Sequence, residues 1–315
     1  MGISPSRWNF QKLKEAFENP KLFLREAKRL PRYTKSVIKY ELLRQLTQRY
    51  KNHYSDAVDI IEEDWDNLII IDACRYDRFN KINTLDGELR QTTSIGSGTP
   101  EYVKRTLTGR KIQDICYVTS NGQIQRHTDG DEFHALISDV SNDPEKVTNA
   151  AKDAFERFPN KRIIVHYSQP HVPYIGPKAQ KIRDQLLSEV TETFPFIHSS
   201  LLRMAEHGYV SDDKLLSIYD ENLEIVLPHV SELIEHIPGK TVVTSDHGEL
   251  LGERYLAMNC YDHHNNIYLP ELRHVPWLEM PDGKRRKITS EPPVEYEQFD
   301  EEQLNERLRL LGYKN

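Results

Sequence analysis

With 37% apolar and 29% charged residues spread over 315 positions, the chain can bury one large α/β domain or two small ones. No apolar run approaches the roughly 20 residues of a membrane span, and MGISPSRWNF has no apolar stretch of the secretory kind. The net charge of −7 is uneven: residues 1–50 hold twelve Lys and Arg against four Glu, a surplus of eight, so the remainder carries −15. Such a basic arm suits an anionic membrane face, an acidic partner or the acidic body itself. Without aromatic-interleaved basic repeats, nucleic acid is not expected as a partner. Cys74, Cys116 and Cys260 show no paired spacing, which sets the expectation of a cytoplasmic protein, peripheral to the membrane if the arm binds there.

Taken in chain order, PKLFLREAKRL and KSVIKYELLRQL repeat apolar residues every three or four positions, predicting a helical arm over 1–55 punctuated by Pro20 and Pro31. At residue 66 the pattern changes. DNLIIIDAC is a short, continuous apolar run, as a strand covered on both faces requires. Further strands are predicted at 88–94, 114–120, 161–168, 240–246 and 273–280. Helices are predicted at 100–109, at 143–158 and from Asp212 to His236. Strands alternating with helices predict an α/β fold, a doubly wound, mostly parallel sheet sandwiched by helices, filling residues 56–285. Residues 286–315 form a tail ending in a helix, DEEQLNERLRLLGY. Residues 120–145 and 174–215 are expected to be substrate loops.

Ligands of parallel sheets sit beyond the carboxyl ends of the strands, and four segments deliver reactive residues there. LIIIDACRYD brings Asp72, with Arg75 and Asp77 in the following turn. TVVTSDHGE brings Asp246 and His247. IIVHYSQPHVPY brings His166, which alone reads as a core histidine, and then His171. TTSIGSGTPEY ends in a Gly/Ser loop and starts a helix at Thr99-Pro100. Thr99 is a good N-cap there, and the same hydroxyl is a nucleophile if a metal lowers its pKa. Gly96 and Gly98 let the backbone approach an anion closely, and a helix start favours one. Carboxylate oxygen next to imidazole suits Zn²⁺ or Mn²⁺, with Mg²⁺ or Ca²⁺ as alternatives.

DACRYD, TP with Thr-Gly following at 108–109, Pro-His-x-Pro and TSDHGELLGE together resemble the alkaline phosphatase superfamily on its sulfatase-like side, over roughly residues 65–280. The resemblance implies a metal held by Asp72, Asp246 and His247, with Thr99 both ligating it and attacking the substrate. It also implies Arg75 and Gly98 contacting the anion, and His171 contacting the substrate or protonating the leaving group. Of His263, His264 and His274, it implies His263 near the metal. A second metal would draw on His171, His263 and a further carboxylate such as Asp220. Thr99 stands where sulfatases carry the residue matured to formylglycine, and Pro100 and Val103 do not fit that maturation pattern. The implied activity is therefore hydrolysis of phosphate mono- or diesters. The alternatives are transfer of a phospho-head group or sulfate to a cell-surface glycan or lipid, and a non-catalytic binding role. Oligomeric state is left open.

Overall fold

The computed structural model describes residues 32–138, 141–190, 200–255, 257–281, 283–294, 301–302 and 304–305. It divides into two compact units, residues 1–46 and 47–315. Within the first, the predicted segment PKLFLREAKRL lies outside the described residues, while KSVIKYELLRQL falls in helix α1 (Arg32–Thr47). Most of the predicted C-terminal helix also lies outside them.

The second unit follows the predicted alternation closely. Its elements in order are β1 (Asn67–Ile71), α2 (Tyr76–Ile82), β2 (Glu88–Thr93), α3 (Thr99–Thr106), β3 (Ile112–Thr119), α4 (Gly122–His127) and β4 (Phe133–Ile137). There follow α5 (Pro144–Arg157), β5 (Arg162–Tyr167), α6 (Pro177–Val190), α7 (Leu201–Glu206), α8 (Asp212–His236) and β6 (Thr241–Thr244). A hairpin, β7 (Leu250–Tyr255) and β8 (Met258–Asp262), precedes the short α9 (Pro270–Arg273) and β9 (His274–Glu279). Seven strands form one sheet in the order β2-β9-β6-β1-β5-β3-β4. Strand β1 runs parallel to both β5 and β6, and β3 runs parallel to β5 and β4. Only β9 is reversed, pairing antiparallel with β6 and β2.

Alternation along the central strands explains the double cover. Ile69 and Ile71 pack with Val165, Val243 and the apolar faces of α5 and α8, including Val147, Ala151, Leu223 and Val226. Leu68 and Ile70 face the other way, into a core with Tyr117, Ile164, Val242, Tyr102 and Val103 of α3, and Ile124 of α4. Every residue of β1 is buried, and after Asn67 its side chains are all apolar until the strand ends.

Two expectations need correction. Residues 120–145 are not one loop, because α4 and β4 occupy much of them and β4 closes the sheet edge beside β3. Residues 174–215 likewise carry α6 and α7, with 191–199 outside the described residues. The signal for β4 was weak, because FHALI is short and follows a run of turn residues, TDGDE.

Candidate active site

The carboxyl ends of β1, β2, β5 and β6 do converge, and what joins them is largely backbone chemistry. Immediately after β1, Ala73 takes a left-handed conformation (φ 57°). This sharp turn aims the Ala73 amide at Asp246 Oδ1 (3.1 Å) and the Cys74 amide at Ser245 Oγ (2.8 Å). The cost of that conformation, about 1–2 kcal/mol for a residue with a Cβ, is offset by these bonds and by Tyr219. Tyr219, on α8, donates to the Ala73 carbonyl at 2.7 Å and accepts from the Arg75 amide at 3.0 Å. The β1 and β6 ends are thus stitched together, with Asp72 and Asp246 side by side.

Gly98, not Thr99, occupies the cap position of α3. The buried Thr99 hydroxyl instead donates to Asp246 Oδ2 at 2.9 Å and lies 3.1 Å from His247 Nε2. His247 Nδ1 is 2.7 Å from the Gly248 carbonyl, an oxygen that can only accept, so Nδ1 carries the proton and Nε2 offers its lone pair inward. Asp72 Oδ2 accepts from Asn121 Nδ2 at 2.6 Å. Its other oxygen, Oδ1, is buried, has no hydrogen-bond partner, and lies 3.6 Å from His247 Nε2. Burial, and after it the Asp246 charge, raises the Asp72 carboxyl well above the usual range. Burial also pushes Asp246 up, but His247, His166 and the Ala73 amide together hold it below that range. Burial lowers His247 to about 4, so its imidazole is neutral at pH 7.

Beside this group lies a second one. His171, Glu249 and His263 present donor atoms within 4.8 Å of one another, as do Asp72, Asp246 and His247. Glu249 Oε1 is 3.2 Å from His263 Nδ1, and Oε2 has no hydrogen-bond partner and is 3.8 Å from His171 Nε2. The rings of His247 and His263 have centroids 4.2 Å apart, which puts the two groups in direct contact. Burial, then Asp262, raises Glu249 well above the carboxylate range, while burial and His263 lower His171 to about 3. Buried carboxylate oxygens without donors, facing neutral imidazoles, form a donor set suited to divalent cations, because a cation reverses the cost of burying the carboxylate charge.

The other predicted residues divide. His263 is the one of the three candidate histidines found in the cluster. His274 opens β9 beside the Tyr54 ring, and the His264 carbonyl accepts from Ser97 Oγ. Asp220 belongs to neither group; it pairs with Arg78, whose Nε is 2.9 Å from Oδ1. Arg75 directs its guanidinium at Asp77, with bonds of 2.9 and 3.0 Å, and at Glu253. Gly98 is needed for protein contact, since a Cβ there would lie 2.9 Å from Asn265 Oδ1 and 3.2 Å from the His263 ring. A third acidic group, Asp129, Asp131 and Glu132, is spent on backbone: Glu132 accepts from the Gly109, Asp129 and Gly130 amides.

Three positions were missed in the sequence. Glu249 sits within SDHGE and read as part of the motif's tail. Asn121 follows β3 at the same sheet edge and could have been found by that placement. Asn222, in the middle of α8, carries no local signal. Its Nδ2 lies 3.0–3.3 Å from the Pro170, His171 and Pro173 carbonyls, and its Oδ1 accepts from the Ile175 amide at 2.9 Å, which pins the loop bearing His171.

No family model matches the chain, and no curated protein does. Among solved structures it is similar to the C-terminal periplasmic domain of phosphoethanolamine transferase EptC from Campylobacter jejuni, at 17% identity and TM-score 0.44, covering 68% of this chain and 78% of that one. The zinc complex of the corresponding Escherichia coli EptC domain matches at 14% identity and TM-score 0.45, covering 71% and 75%. A glycosaminoglycan-locus sulfatase of Bacteroides thetaiotaomicron matches at 12% identity and TM-score 0.41, covering 68% and 66%. The structural neighbours are thus soluble transferase domains and sulfatases of the alkaline phosphatase superfamily, on its sulfatase-like branch. The cytoplasmic expectation is overturned by this comparison, because the transferase domains are periplasmic. Its basis was weak in any case: Cys74, Cys116 and Cys260 are buried and form no disulfide among the described residues, and a buried thiol of this kind marks no compartment. Among the described residues no helix is long and apolar enough to cross a membrane.

Proposed function

We propose that the protein is a divalent-metal-dependent hydrolase of phosphate mono- or diesters in which Thr99 is the nucleophile. The observation that carries this reading is the Thr99 hydroxyl set 2.9 Å from Asp246 Oδ2 and 3.1 Å from His247 Nε2, beside the unpartnered Asp72 Oδ1. Asp72, Asp246, His247 and Thr99 would hold the ion. When bound there, the ion lowers the pKa of the hydroxyl and offsets charge on the transferring group.

The remaining chemistry belongs to the chain. Thr99 Oγ1 gives up its proton along the existing bond to Asp246 Oδ2 and forms a bond to phosphorus, while the ester P–O bond breaks. The partial positive charge at the start of α3 favours the anionic group as it transfers. Glu249, whose carboxyl pKa burial raises well above the ordinary range, supplies a proton to the departing oxygen, with His171 and His263 on either side. His171, held near 3, is too weak a base to carry that proton itself. Water then cleaves the phospho-threonine and restores the hydroxyl. A threonine cannot mature to formylglycine, which favours phosphate over sulfate esters.

A second reading of the Glu249 group has its own support, the convergence of His171, Glu249 and His263 donors within 4.8 Å, which suits a second divalent ion. Metal analysis of purified protein with a screen of phosphate monoesters, diesters and sulfate esters tests the whole. The reading requires bound metal and turnover of a phosphate ester. Turnover confined to sulfate esters would contradict it, and product formation only with an added alcohol or glycan acceptor would make the protein a transferase.

A further inference from the structure

Between the carboxylates of the Thr99 site stands a histidine that the chemistry above leaves without a task. His166, in β5, is wholly buried. Its Nδ1 is 3.0 Å from the hydroxyl of Tyr117 on β3. Tyr117 is itself buried, with its ring against Phe133 at 5.2 Å. His166 Nε2 has no hydrogen-bond partner and faces Asp72 Oδ2 at 3.8 Å and Asp246 Oδ2 at 4.0 Å.

Electrostatics selects the tautomer. A lone pair on Nε2 would point at two buried carboxylate oxygens, whereas an Nε2–H points the positive end of its dipole at both. Nδ1 then carries the lone pair, and the Tyr117 hydroxyl donates to it. Both gaps exceed hydrogen-bond length, so the ring acts as an oriented dipole holding the pair of carboxylates in place. Of the four carboxylate oxygens, Asp246 Oδ1 accepts from the Ala73 and His247 amides, Asp246 Oδ2 from the Thr99 hydroxyl and Asp72 Oδ2 from Asn121, while Asp72 Oδ1 has no donor.

We propose that Tyr117 and His166 are positioning residues that form a relay from β3 through β5, fixing Asp72 and Asp246 in the orientation in which they share a divalent cation. This inference rests on the metal reading of the Thr99 site. A core histidine with only a packing role would not need a proton on a particular nitrogen, so the two roles separate by substitution. Asparagine reaches the Tyr117 hydroxyl but no further, whereas glutamine places an amide N–H near the Nε2 position.

The test is Zn²⁺ affinity, measured by competition with a chromophoric chelator on the full chain. His166→Asn is expected to weaken binding about 10–100-fold, and Tyr117→Phe to fall between it and the wild type. His166→Gln is expected to stay within about threefold of the wild type, since it keeps the donor. Unchanged affinity in His166→Asn, or glutamine as weak as asparagine, would overturn the relay. If His166→Asn does not fold, Tyr117→Phe decides alone, because it removes one oxygen and keeps the ring; unchanged affinity there overturns the proposal. A wild-type protein that binds no divalent ion would overturn the metal reading and the relay together. Wild-type binding with indifferent variants would overturn the relay alone.

Discussion

Thr99 and its neighbours carry the sharpest expectations at the scale of single residues. Thr99→Ala should abolish turnover while leaving the unfolding temperature and metal content nearly unchanged, because Asp72, Asp246 and His247 remain. Activity near the wild-type level would remove Thr99 from the chemistry. Proton linkage gives a second test. Burial raises the Asp72 and Glu249 carboxyl pKa values well above the ordinary range, so both hold protons to higher pH than a free carboxyl does. His247 and His166 at about 4 and His171 at about 3 are already neutral at neutral pH. An ion competes with protons for the raised carboxyls and, above about pH 4, not for these imidazoles, so affinity should rise with pH through the raised carboxyl range and level off above it. Calorimetric titration in two buffers of different ionisation enthalpy should report proton release on ion binding well above pH 4, where these imidazoles are already neutral. Proton release confined to the region near pH 4 would assign the titration to the imidazoles instead.

At the scale of elements, the site depends on loops held from a distance. Asn222 reaches from α8 to three carbonyls and one amide of the segment bearing His171. Asn222→Ala should cost about 1–3 kcal/mol in urea unfolding and reduce turnover more than it reduces Thr99-site metal affinity. Equal losses of both would show that the whole sheet edge had moved. Gly98 has an extended backbone (φ 177°) that any residue can adopt, so Gly98→Ala tests crowding alone. Its methyl would press on Asn265 and His263, and lower turnover with an unchanged fold is expected. These elements also show what a sequence can and cannot convey. The strands β1, β5 and β6 were readable because burial on both faces leaves continuous apolar runs, and Asp72, Asp246 and His247 were readable because they stand at the ends of such runs within motifs that resemble a known family. Glu249 and Asn222 were not, since their partners lie in other elements and no spacing along the chain encodes a contact across the sheet edge. His166 was read as a core residue because burial and function look alike until the geometry around its second nitrogen is known.

The sequence combines an acidic body with a basic leading segment. Twelve of the 42 Lys and Arg fall within the first 50 residues, against four Glu. If this arm meets anionic lipid, each basic residue near the surface contributes about 1 kcal/mol, and binding weakens steeply with salt. Deleting residues 1–46 should then abolish co-sedimentation with phosphatidylserine vesicles at low salt while leaving hydrolysis of a small chromogenic diester intact. Unchanged sedimentation would place any membrane contact elsewhere. The central claim is a covalent one, and it is best met by rapid quenching during turnover of a phosphate ester, followed by mass spectrometry of the peptide containing Thr99. The account predicts a phosphoryl group on Thr99 that appears in the wild-type protein and is absent from Thr99→Ala; steady turnover with Thr99 unmodified at every quench time, and undiminished in that variant, would contradict it.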